Sequence, residues 1–356
     1  MSTDARPPLA AAAGSSSSAG TGPSLTLSAP AKLNLFLHVT GRRADGYHAL
    51  ETVFQFIDLA DTVTIAVRDD GAIRRIGSWE AVPAADDLTL RAALALKAAT
   101  GCPLGAEVAV TKRIPMGAGL GGGSSDAATV LLGLNRLWNL GLSRAALQAI
   151  GVRLGADVPV FVFGRNAYAT GIGDLLEAVD LPRRWYVLAM PATAVATASV
   201  FQAAELTRDT IPITITGFSE CVSRSDFVLP GRNDLEPVVC ARDPEVAATL
   251  AVLRDACRTA DVAPTRVRMT GSGACLFAVA ASRAEAQRIA TAFNSGRPGR
   301  FPQPQARSAG GTIGRYHGTN QIREPQSEIS GSCSAGGPAV VAAGLPEHPL
   351  GSRQVG

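Results

Sequence analysis

The sequence predicts an α+β fold of two domains, and three observations lead to this prediction. Strand-like and helix-like segments interleave along the chain without the regular βαβ repeat of a doubly wound sheet. The 356 residues are 46% apolar, which is enough for two compact domains with cores built mainly from Ala, Val and Leu. A glycine-rich loop joins a predicted strand directly to an amphipathic helix, an arrangement that is typical of phosphate-binding sites.

The elements of the first half follow from periodicity and from turn residues. Apolar and β-branched runs predict strands, an alanine-rich stretch predicts a helix, and an Asp-Gly pair predicts the first turn. Ser143 is expected to cap a short helix that ends near Leu154. The predicted strands are 33–40, 52–59, 62–67 and 107–111, and the predicted helices are 88–100 and the stretch that begins after the glycine-rich loop.

The second half of the chain alternates strands and helices in the same way. Its predicted strands are 167–170, 185–189 and the strand with a tight turn at 267–273, and its predicted helices are 244–259 and 284–293. Residues 1–23 and 306–356 are rich in Ala, Gly, Ser and Pro, and we predict that both are disordered tails.

The glycine-rich loop is the most informative segment, and it reads PMGAGLGGGSSDAA over residues 115–128. Closely spaced glycines allow successive backbone N–H groups to approach a ligand, and the following helix N-terminus favours an anion. Ser124 or Ser125 is expected to cap that helix. A flexible connector is the plain structural alternative. A Rossmann site requires an acidic residue about 20 positions after the loop, and a Walker loop requires a Lys before its Ser or Thr, but this sequence has neither. The motifs of protein kinases are also absent from the sequence.

Four segments together resemble the GHMP kinases. The loop resembles their ATP-binding motif, and RMTGSGACLFAV resembles their third motif, a second glycine turn beside the phosphates. The segments APAKLNLFLHVTGRRADGYHALETVFQFIDLAD and GADVPVFVFG resemble the branch that phosphorylates a cytidine-diphosphate-linked methylerythritol. The resemblance implies an N-terminal domain like domain 2 of ribosomal protein S5 over 24–184, a ferredoxin-like C-terminal domain over 185–305, and an active site between them.

The resemblance also assigns a catalytic pair. Asp157 matches the general base of the family, and Lys32 matches the lysine that pairs with this base and faces the acceptor. A carboxylate near the acceptor hydroxyl can take its proton, and an ammonium keeps that carboxylate ionised and offsets charge on the transferring group. Taken alone, Asp157 could be a helix cap and Lys32 a solvated surface lysine.

The remaining site residues come from the same resemblance. Tyr47 and His48 match the cytidine site, Phe201 matches a second aromatic residue across the base, and Asn34 and Thr197 match polar contacts with the acceptor. The alternative is that Tyr47 and His48 are only surface side chains of a hairpin turn, without a binding role. The ATP-binding residues implied by the resemblance are Pro115, Met116, Gly117, Ala118, Gly119, Leu120, Gly121, Gly122, Gly123, Ser124 and Ser125.

The expected reaction is transfer of the ATP γ-phosphoryl group to the 2-hydroxyl of the cytidine-diphosphate-linked methylerythritol, in the non-mevalonate route to isoprenoid precursors. Mg²⁺ is expected with ATP, although the sequence assigns no residue to the metal. The alternatives are a GHMP kinase for homoserine, mevalonate or a sugar, and a non-catalytic sensor of nucleotide or sugar. A formal charge of +3 without basic runs predicts neither a nucleic-acid nor a membrane partner.

The basic residues are unusual, because only Lys32, Lys97 and Lys112 are lysines among 33 lysines and arginines. Arg cannot replace a compact, flexible ammonium at every kind of site. Lys97 lies on the alanine-rich helix with no motif around it, so Lys97→Arg is expected to change nothing. The six cysteines form no CxxC pair and no export signal is visible, so we expect reduced thiols and a cytoplasmic location. Oligomeric state does not follow from the sequence.

Overall fold

The computed structural model describes residues 22–77, 82–224, 227, 229–296 and 339–348. Most of the two predicted tails, namely residues 1–21, 306–338 and 349–356, lies outside the described residues. Within the described residues, no helix is both long enough and apolar enough to cross a membrane.

Ten strands in the described residues are arranged in two sheets. The strands are β1 (Ser24–Arg42), β2 (His48–Arg68), β3 (Ile73–Arg75), β4 (Gly105–Thr111), β5 (Ala167–Thr170), β6 (Leu175–Ala178), β7 (Trp185–Ala189), β8 (Val267–Met269), β9 (Leu276–Ala280) and β10 (Val340–Ala343). The first sheet has the order β3-β4-β2-β5-β6, with β1 paired to β2, and the second has the order β10-β7-β9-β8. Strands and helices interleave without a regular βαβ repeat, as predicted.

Nine helices pack on these sheets in the described part of the chain. They are α1 (Leu88–Thr100), α2 (Gly122–Leu137), α3 (Arg144–Gly151), α4 (Val158–Phe163), α5 (Thr197–Phe201), α6 (Ile215–Ser223), α7 (Glu236–Arg242), α8 (Pro244–Thr259) and α9 (Arg283–Ser295). Ser143 caps α3 by accepting a hydrogen bond from Ala146 N, which confirms the predicted cap. The helix ends at Gly151 rather than near Leu154.

The runs 52–59 and 62–67 were predicted as separate strands, and this prediction is wrong. They form the single strand β2, because the residues between the two runs also pair with β1, in the pairs Pro30↔Ala60 and Ala29↔Asp61. The pairing register shifts between Pro30 and Ala31, as at a β-bulge. Both long strands contribute buried residues to the interface with the second sheet.

An apolar cluster joins the two sheets. Leu33 and Ile57, from the first sheet, lie in one cluster of buried residues with Tyr186 and Phe277 from the second. A separate cluster under α2 contains Leu131 and Phe161, which fixes α2 and α4 against the first sheet. Packing against the first sheet thus fixes the positions of α2, which carries Ser124 and Ser125, and of α4, which follows Asp157.

The prediction that 306–356 is a tail is wrong for residues 339–348. Strand β10 extends the second sheet by pairing antiparallel with β7, and its Val340 and Ala342 are buried. The chain then crosses to the first sheet, where Leu345 N donates to Phe56 O at 2.8 Å. His348 N donates to Gly164 O at 2.9 Å, at the end of α4. This segment therefore ties the two halves of the molecule together.

We expect that deleting residues 339–356 lowers the free energy of unfolding by at least about 3 kcal/mol, because it exposes buried apolar surface on β7 and under His348. Urea unfolding of the deletion variant measures the loss. Deletion of residues 2–21, whose composition predicts no core contribution, is the control and should leave the midpoint unchanged. Equal midpoints for parent and 339–356 deletion would contradict the structural role of β10.

Lys97 is a structural residue, contrary to the prediction from its sequence context. Its Nζ donates to three backbone carbonyls, those of Gly71 at 2.6 Å, Leu104 at 3.0 Å and Pro103 at 3.2 Å. Three converging acceptors suit the tetrahedral donors of an ammonium better than the planar fork of a guanidinium. Lys97→Arg is therefore no longer expected to be neutral for stability.

Candidate active site

Lys32 and Asp157 form an ion pair, although they are far apart in the sequence. Lys32 Nζ lies 3.3 Å from Asp157 Oδ2, and the exposed fractions of the two side chains are 3% and 32%. Lys32 belongs to β1, and Asp157 precedes α4. The ammonium is thus buried while the carboxylate stays open to a ligand, which is the arrangement a base and its partner need.

The Asp157 side chain makes no helix-capping hydrogen bond, although the residue occupies the N-cap position of α4. Its backbone has αR dihedral angles, whereas a capping aspartate normally has an extended backbone. The structural alternative for Asp157, a helix cap, therefore does not apply. Lys32 is equally far from being a solvated surface lysine, because it is 2% exposed.

Asn34 orients the Lys32 ammonium. Its Oδ1 accepts from Lys32 Nζ at 2.7 Å, and its Nδ2 donates to Thr52 Oγ1 at 2.9 Å. The Asn34 backbone N–H donates to Thr270 Oγ1 at 2.9 Å, which links β1 to the second glycine turn. Thr52 and Thr270 were not singled out from the sequence. Thr270 lies within the RMTGSGAC segment, so that motif was the available signal.

The two glycine-rich segments contact each other beside Lys32. Gly119 has φ +73°, and a Cβ there would lie 2.5 Å from Thr270 O and 3.0 Å from Gly273 O. At Gly121, also with φ +73°, a Cβ would lie 3.1 Å from Lys32 Cε. A side chain at either position is therefore excluded by close approach and by backbone conformation. Lys32 N donates to Leu120 O at 3.0 Å, so β1 and the glycine-rich loop are joined at Lys32.

The prediction that Ser124 or Ser125 caps the helix after the loop is wrong. Helix α2 begins at Gly122, and Gly121, in the left-handed conformation, occupies the N-cap position without a side-chain bond. Because the loop enters the helix earlier than expected, both serines lie inside its first turn. Ser125 Oγ is buried and has no hydrogen-bond partner among the described residues. The backbone N–H groups at this helix start are available to an anion.

Lys112 fastens the start of the loop to the rest of the domain. Its Nζ donates to Asp61 and, at 2.7 Å, to Asp126 Oδ2 in α2. Asp61 Oδ1 also accepts from Ile114 N at 2.8 Å. In the sequence, Lys112 stands out only as one of three lysines, and that rarity was the available signal. All three lysines hold several acceptors at once in this structure.

One ammonium faces two buried carboxylates in this cluster. Burial, opposed by Lys112 and reinforced by Asp61, raises the pKa of Asp126 from 3.8 to about 7. The folded protein then binds more protons than the unfolded chain between about pH 4 and about pH 7. The free energy of unfolding is therefore expected to decrease as pH rises through this window.

We expect Asp126→Asn to remove that decrease, because the amide keeps an oxygen for Lys112 and carries no charge. Relative to the parent, the variant should gain about 1 kcal/mol or more of unfolding free energy between pH 5 and about pH 8. Urea unfolding across this range measures it. Asp255→Asn, on the exposed face of α8, is the control and should follow the parent curve. Parallel curves for parent and Asp126→Asn would refute the prediction.

The residues predicted to bind the base come from both halves of the chain. His48, at the start of β2, and Phe201, at the end of α5, have ring centroids 5.3 Å apart with planes inclined by 32°. Tyr47 is 63% exposed on the preceding turn. Thr197 Oγ1 forms a hydrogen bond of 2.7 Å with Ser272 Oγ, so α5 contacts the second glycine turn. Ser272 was not singled out from the sequence.

Family models and curated relatives match much of this chain. Residues 87–165 match the model of the GHMP kinases N terminal domain, and residues 224–298 match that of the GHMP kinases C terminal domain. The chain is 54% identical over 261 residues to a 4-diphosphocytidyl-2-C-methyl-D-erythritol kinase of Cupriavidus necator, covering 73% of this chain and 86% of that protein. It is 50% identical over 280 residues to the protein of the same name from Aromatoleum aromaticum, covering 79% and 92%.

Solved structures share the fold. A crystal structure of 4-(cytidine 5'-diphospho)-2C-methyl-D-erythritol kinase superposes with a TM-score of 0.64 at 34% identity, covering 76% of this chain and 96% of that one. A homoserine kinase from Cytophaga hutchinsonii, at 19% identity and a TM-score of 0.59, covers 78% and 91%. The second likeness concerns the fold alone.

Proposed function

The chain belongs to the 4-diphosphocytidyl-2-C-methyl-D-erythritol kinases of the GHMP superfamily, and from this premise we propose how its residues carry out the reaction. The enzyme is an ATP-dependent kinase of isoprenoid precursor biosynthesis. It transfers the γ-phosphoryl group of ATP to the 2-hydroxyl of the cytidine-diphosphate-linked methylerythritol. The observation that carries the residue assignment is the Lys32–Asp157 pair beside the glycine-rich loop.

Asp157 acts as the general base in this proposal. Its partly open carboxylate takes the proton of the acceptor hydroxyl as the oxygen attacks phosphorus, and such a base typically contributes about 10²–10⁴-fold to a rate. Lys32, whose Nζ lies 3.3 Å from that carboxylate, offsets the negative charge of the transferring phosphoryl group. Asn34 keeps Nζ in place, and this role is supported by its hydrogen bonds to Lys32 and Thr52.

The ATP phosphates are proposed to lie on the loop 115–125. The start of α2 offers backbone N–H groups and the positive end of a helix dipole, and the positive φ of Gly119 and Gly121 lets the loop turn toward it. The second glycine turn closes the other side, since it contacts Gly119 directly. The phosphates would then arrive next to Lys32, where transfer takes place.

Mg²⁺ fits this site if the nucleotide supplies most of its ligands. Among the described residues there is no group of three or more His, Cys, Asp or Glu side chains that could hold a metal ion. Mg²⁺ bound to ATP usually needs only one or two protein oxygens, because phosphates and water complete its octahedron. The Ser125 hydroxyl, buried at the start of α2, is the protein oxygen that would hold it, and the ion would offset phosphate charge.

The cytidine part of the acceptor is proposed to bind at Tyr47, His48 and Phe201. Aromatic faces stack on a base, and an imidazole can hydrogen-bond its edge. Thr197, whose Oγ1 lies 2.7 Å from Ser272 Oγ of the second glycine turn, is proposed to contact the acceptor between the base and the reacting hydroxyl. Homoserine, mevalonate and sugars carry no base, so such a site would serve none of them.

Replacing Tyr47 or Phe201 with Ala is expected to weaken acceptor binding by roughly 1–3 kcal/mol, because each removes a face on which the base stacks. The affinity for ATP should stay unchanged. Isothermal calorimetry with each ligand separately measures both values. Leu175→Ala, at another exposed apolar side chain, is the control. Equal losses for both ligands would show damage to the fold instead of a base site.

A panel of acceptors tests the proposed function as a whole. The purified enzyme is incubated with ATP, Mg²⁺ and either the cytidine-diphosphate-linked methylerythritol, homoserine, mevalonate or galactose, and phosphorylated products are identified by mass spectrometry. Only the first acceptor should be phosphorylated at its 2-hydroxyl. Phosphorylation of another acceptor, or ATP binding without any transfer, would refute the proposal.

A further inference from the structure

The guanidinium of Arg208 contacts the imidazole of His48. Arg208 Nε donates to His48 Nε2 at 3.1 Å, and both side chains are half-buried. The same guanidinium donates to three backbone carbonyls, those of Ala203 at 2.6 Å, Leu206 at 2.9 Å and Phe201 at 3.2 Å. Arg208 is therefore fixed between the end of α5 and the start of β2, and nothing in the sequence motifs pointed to it.

This contact determines which nitrogen of His48 carries the proton. A guanidinium is always a donor, so the nitrogen that faces it must be an acceptor, and a neutral imidazole then has its proton on the other nitrogen. His48 Nε2 is thus unprotonated and Nδ1 is the donor. Among the described residues no hydrogen bond engages Nδ1. Burial, followed by the charges of Arg208 and Arg42, lowers the pKa of His48, which also favours the neutral ring.

A fixed Nδ1–H donor distinguishes between the two pyrimidine bases. Cytosine presents acceptors at N3 and O2 beside its amine, whereas uracil carries a proton on N3. A donor that faces N3 makes a hydrogen bond with cytosine and meets another donor in uracil. If the ring had its proton on Nε2 instead, Nδ1 would be an acceptor and this preference would be reversed.

We propose that Arg208 is a positioning residue that sets the base specificity of the enzyme by holding His48 as an Nδ1–H donor toward N3 of cytosine. The inference rests on the proposed function, in which His48 reads the base. Arg208 acts only through His48 and has no role in phosphoryl transfer. Its three carbonyl contacts explain why a guanidinium is needed, since a lysine could not satisfy them and also reach Nε2.

The tautomer of His48 is measured first, in the parent protein. Two-bond ¹H–¹⁵N correlation spectra of ¹⁵N-histidine-labelled enzyme report the protonation of each ring nitrogen, and a His48→Gln variant identifies the His48 signals. We expect His48 Nε2 to be unprotonated at neutral pH. A proton on Nε2 in the parent would overturn the inference whatever any variant does, and this measurement does not depend on whether His48 binds a base.

Base discrimination is measured second. The ratio of kcat/KM for the cytidine-linked acceptor to that for its uridine-linked analogue should fall about 10-fold or more in Arg208→Met, through KM, because one donor–acceptor match is worth about that much. Arg242 is the matched control, since it also donates to a backbone carbonyl of α5, that of Ser199 at 3.0 Å. Arg242→Met should leave the ratio within about two-fold of the parent value.

A double-mutant cycle separates positioning from simple support of α5. In a His48→Ala background, Arg208→Met should change the ratio by less than about two-fold, because its action requires the imidazole. Equal losses on both acceptors with an unchanged ratio would show a purely structural role and overturn the inference alone. An unchanged ratio in His48→Ala itself, with the Nδ1–H tautomer present, would instead show that His48 does not read the base, so that part of the proposed function would fail and the inference with it.

Discussion

Asp157→Asn is expected to lower kcat by about 100-fold or more, because the amide cannot accept the proton of the acceptor hydroxyl. The variant also removes the charge that faces Lys32 Nζ at 3.3 Å. The shape of the side chain is retained, so the affinity for ATP should stay within about three-fold of the parent value. Single-turnover kinetics with saturating acceptor measures the chemical step, and fluorescence titration measures nucleotide binding.

Asp243→Asn provides the matched control for this substitution. Asp243 also occupies a helix N-cap position, but its carboxylate accepts from Glu245 N at 3.0 Å and Val246 N at 3.2 Å. Asn caps helices as well as Asp does, so this variant should turn over at the parent rate. A turnover near the parent rate for Asp157→Asn as well would remove Asp157 from the proposed chemistry.

Lys32→Arg is expected to reduce kcat by about 100-fold even though the positive charge is kept, because a misplacement near 1 Å can cost about that much. The space around the ammonium is closed. Its Nζ contacts Asn34 Oδ1 at 2.7 Å, and a Cβ built at Gly271 would lie only 3.4 Å from it. A guanidinium is wider and planar, so it would displace either Asp157 or the acceptor. Steady-state rates and thermal melting of the variant measure the effect.

Lys97→Arg is a useful contrast because it changes the same residue type at a purely structural position. With three carbonyls as partners for Lys97 Nζ, the substitution should lower the melting temperature and leave kcat near the parent value. Lys32→Arg should show the opposite pattern. If both variants lost stability and activity in the same proportion, Lys32 would have no special part in the reaction.

The sequence was most informative where chemistry depends on local chain properties. The glycines of 115–123 predict a backbone that turns sharply and can approach a ligand. Gly119 and Gly121 have the positive φ values that such a turn requires. The resemblance placed Lys32 and Asp157 in one site, and in the structure Lys32 Nζ lies 3.3 Å from Asp157 Oδ2. Helix α1, predicted from its alanine-rich composition, and helix α8 were predicted with their observed bounds.

Other features had no local signal. The residues of β10 are four small apolar residues among Gly and Pro, and they form a strand only because β7 offers an unpaired edge. The start of α2 at Gly122, instead of after Ser124 or Ser125, had no local signal either. It accompanies the contact between Gly119 and the second glycine turn, which lies far away in the sequence. The partners of Lys97 and Arg208 are mostly backbone carbonyls, which every residue possesses and no motif records.

By itself, therefore, the sequence determined the fold class and the presence of a glycine-rich loop, and its motifs led to the proposal that Lys32 and Asp157 are the catalytic pair. Each of these follows from residue types at short spacing or within a recognisable motif. Only the tertiary structure decided that Asp157 pairs with Lys32 instead of capping α4, that β10 completes the second sheet, and that Arg208 holds His48. These features depend on contacts between distant segments, whose geometry exists only after the two sheets have packed together.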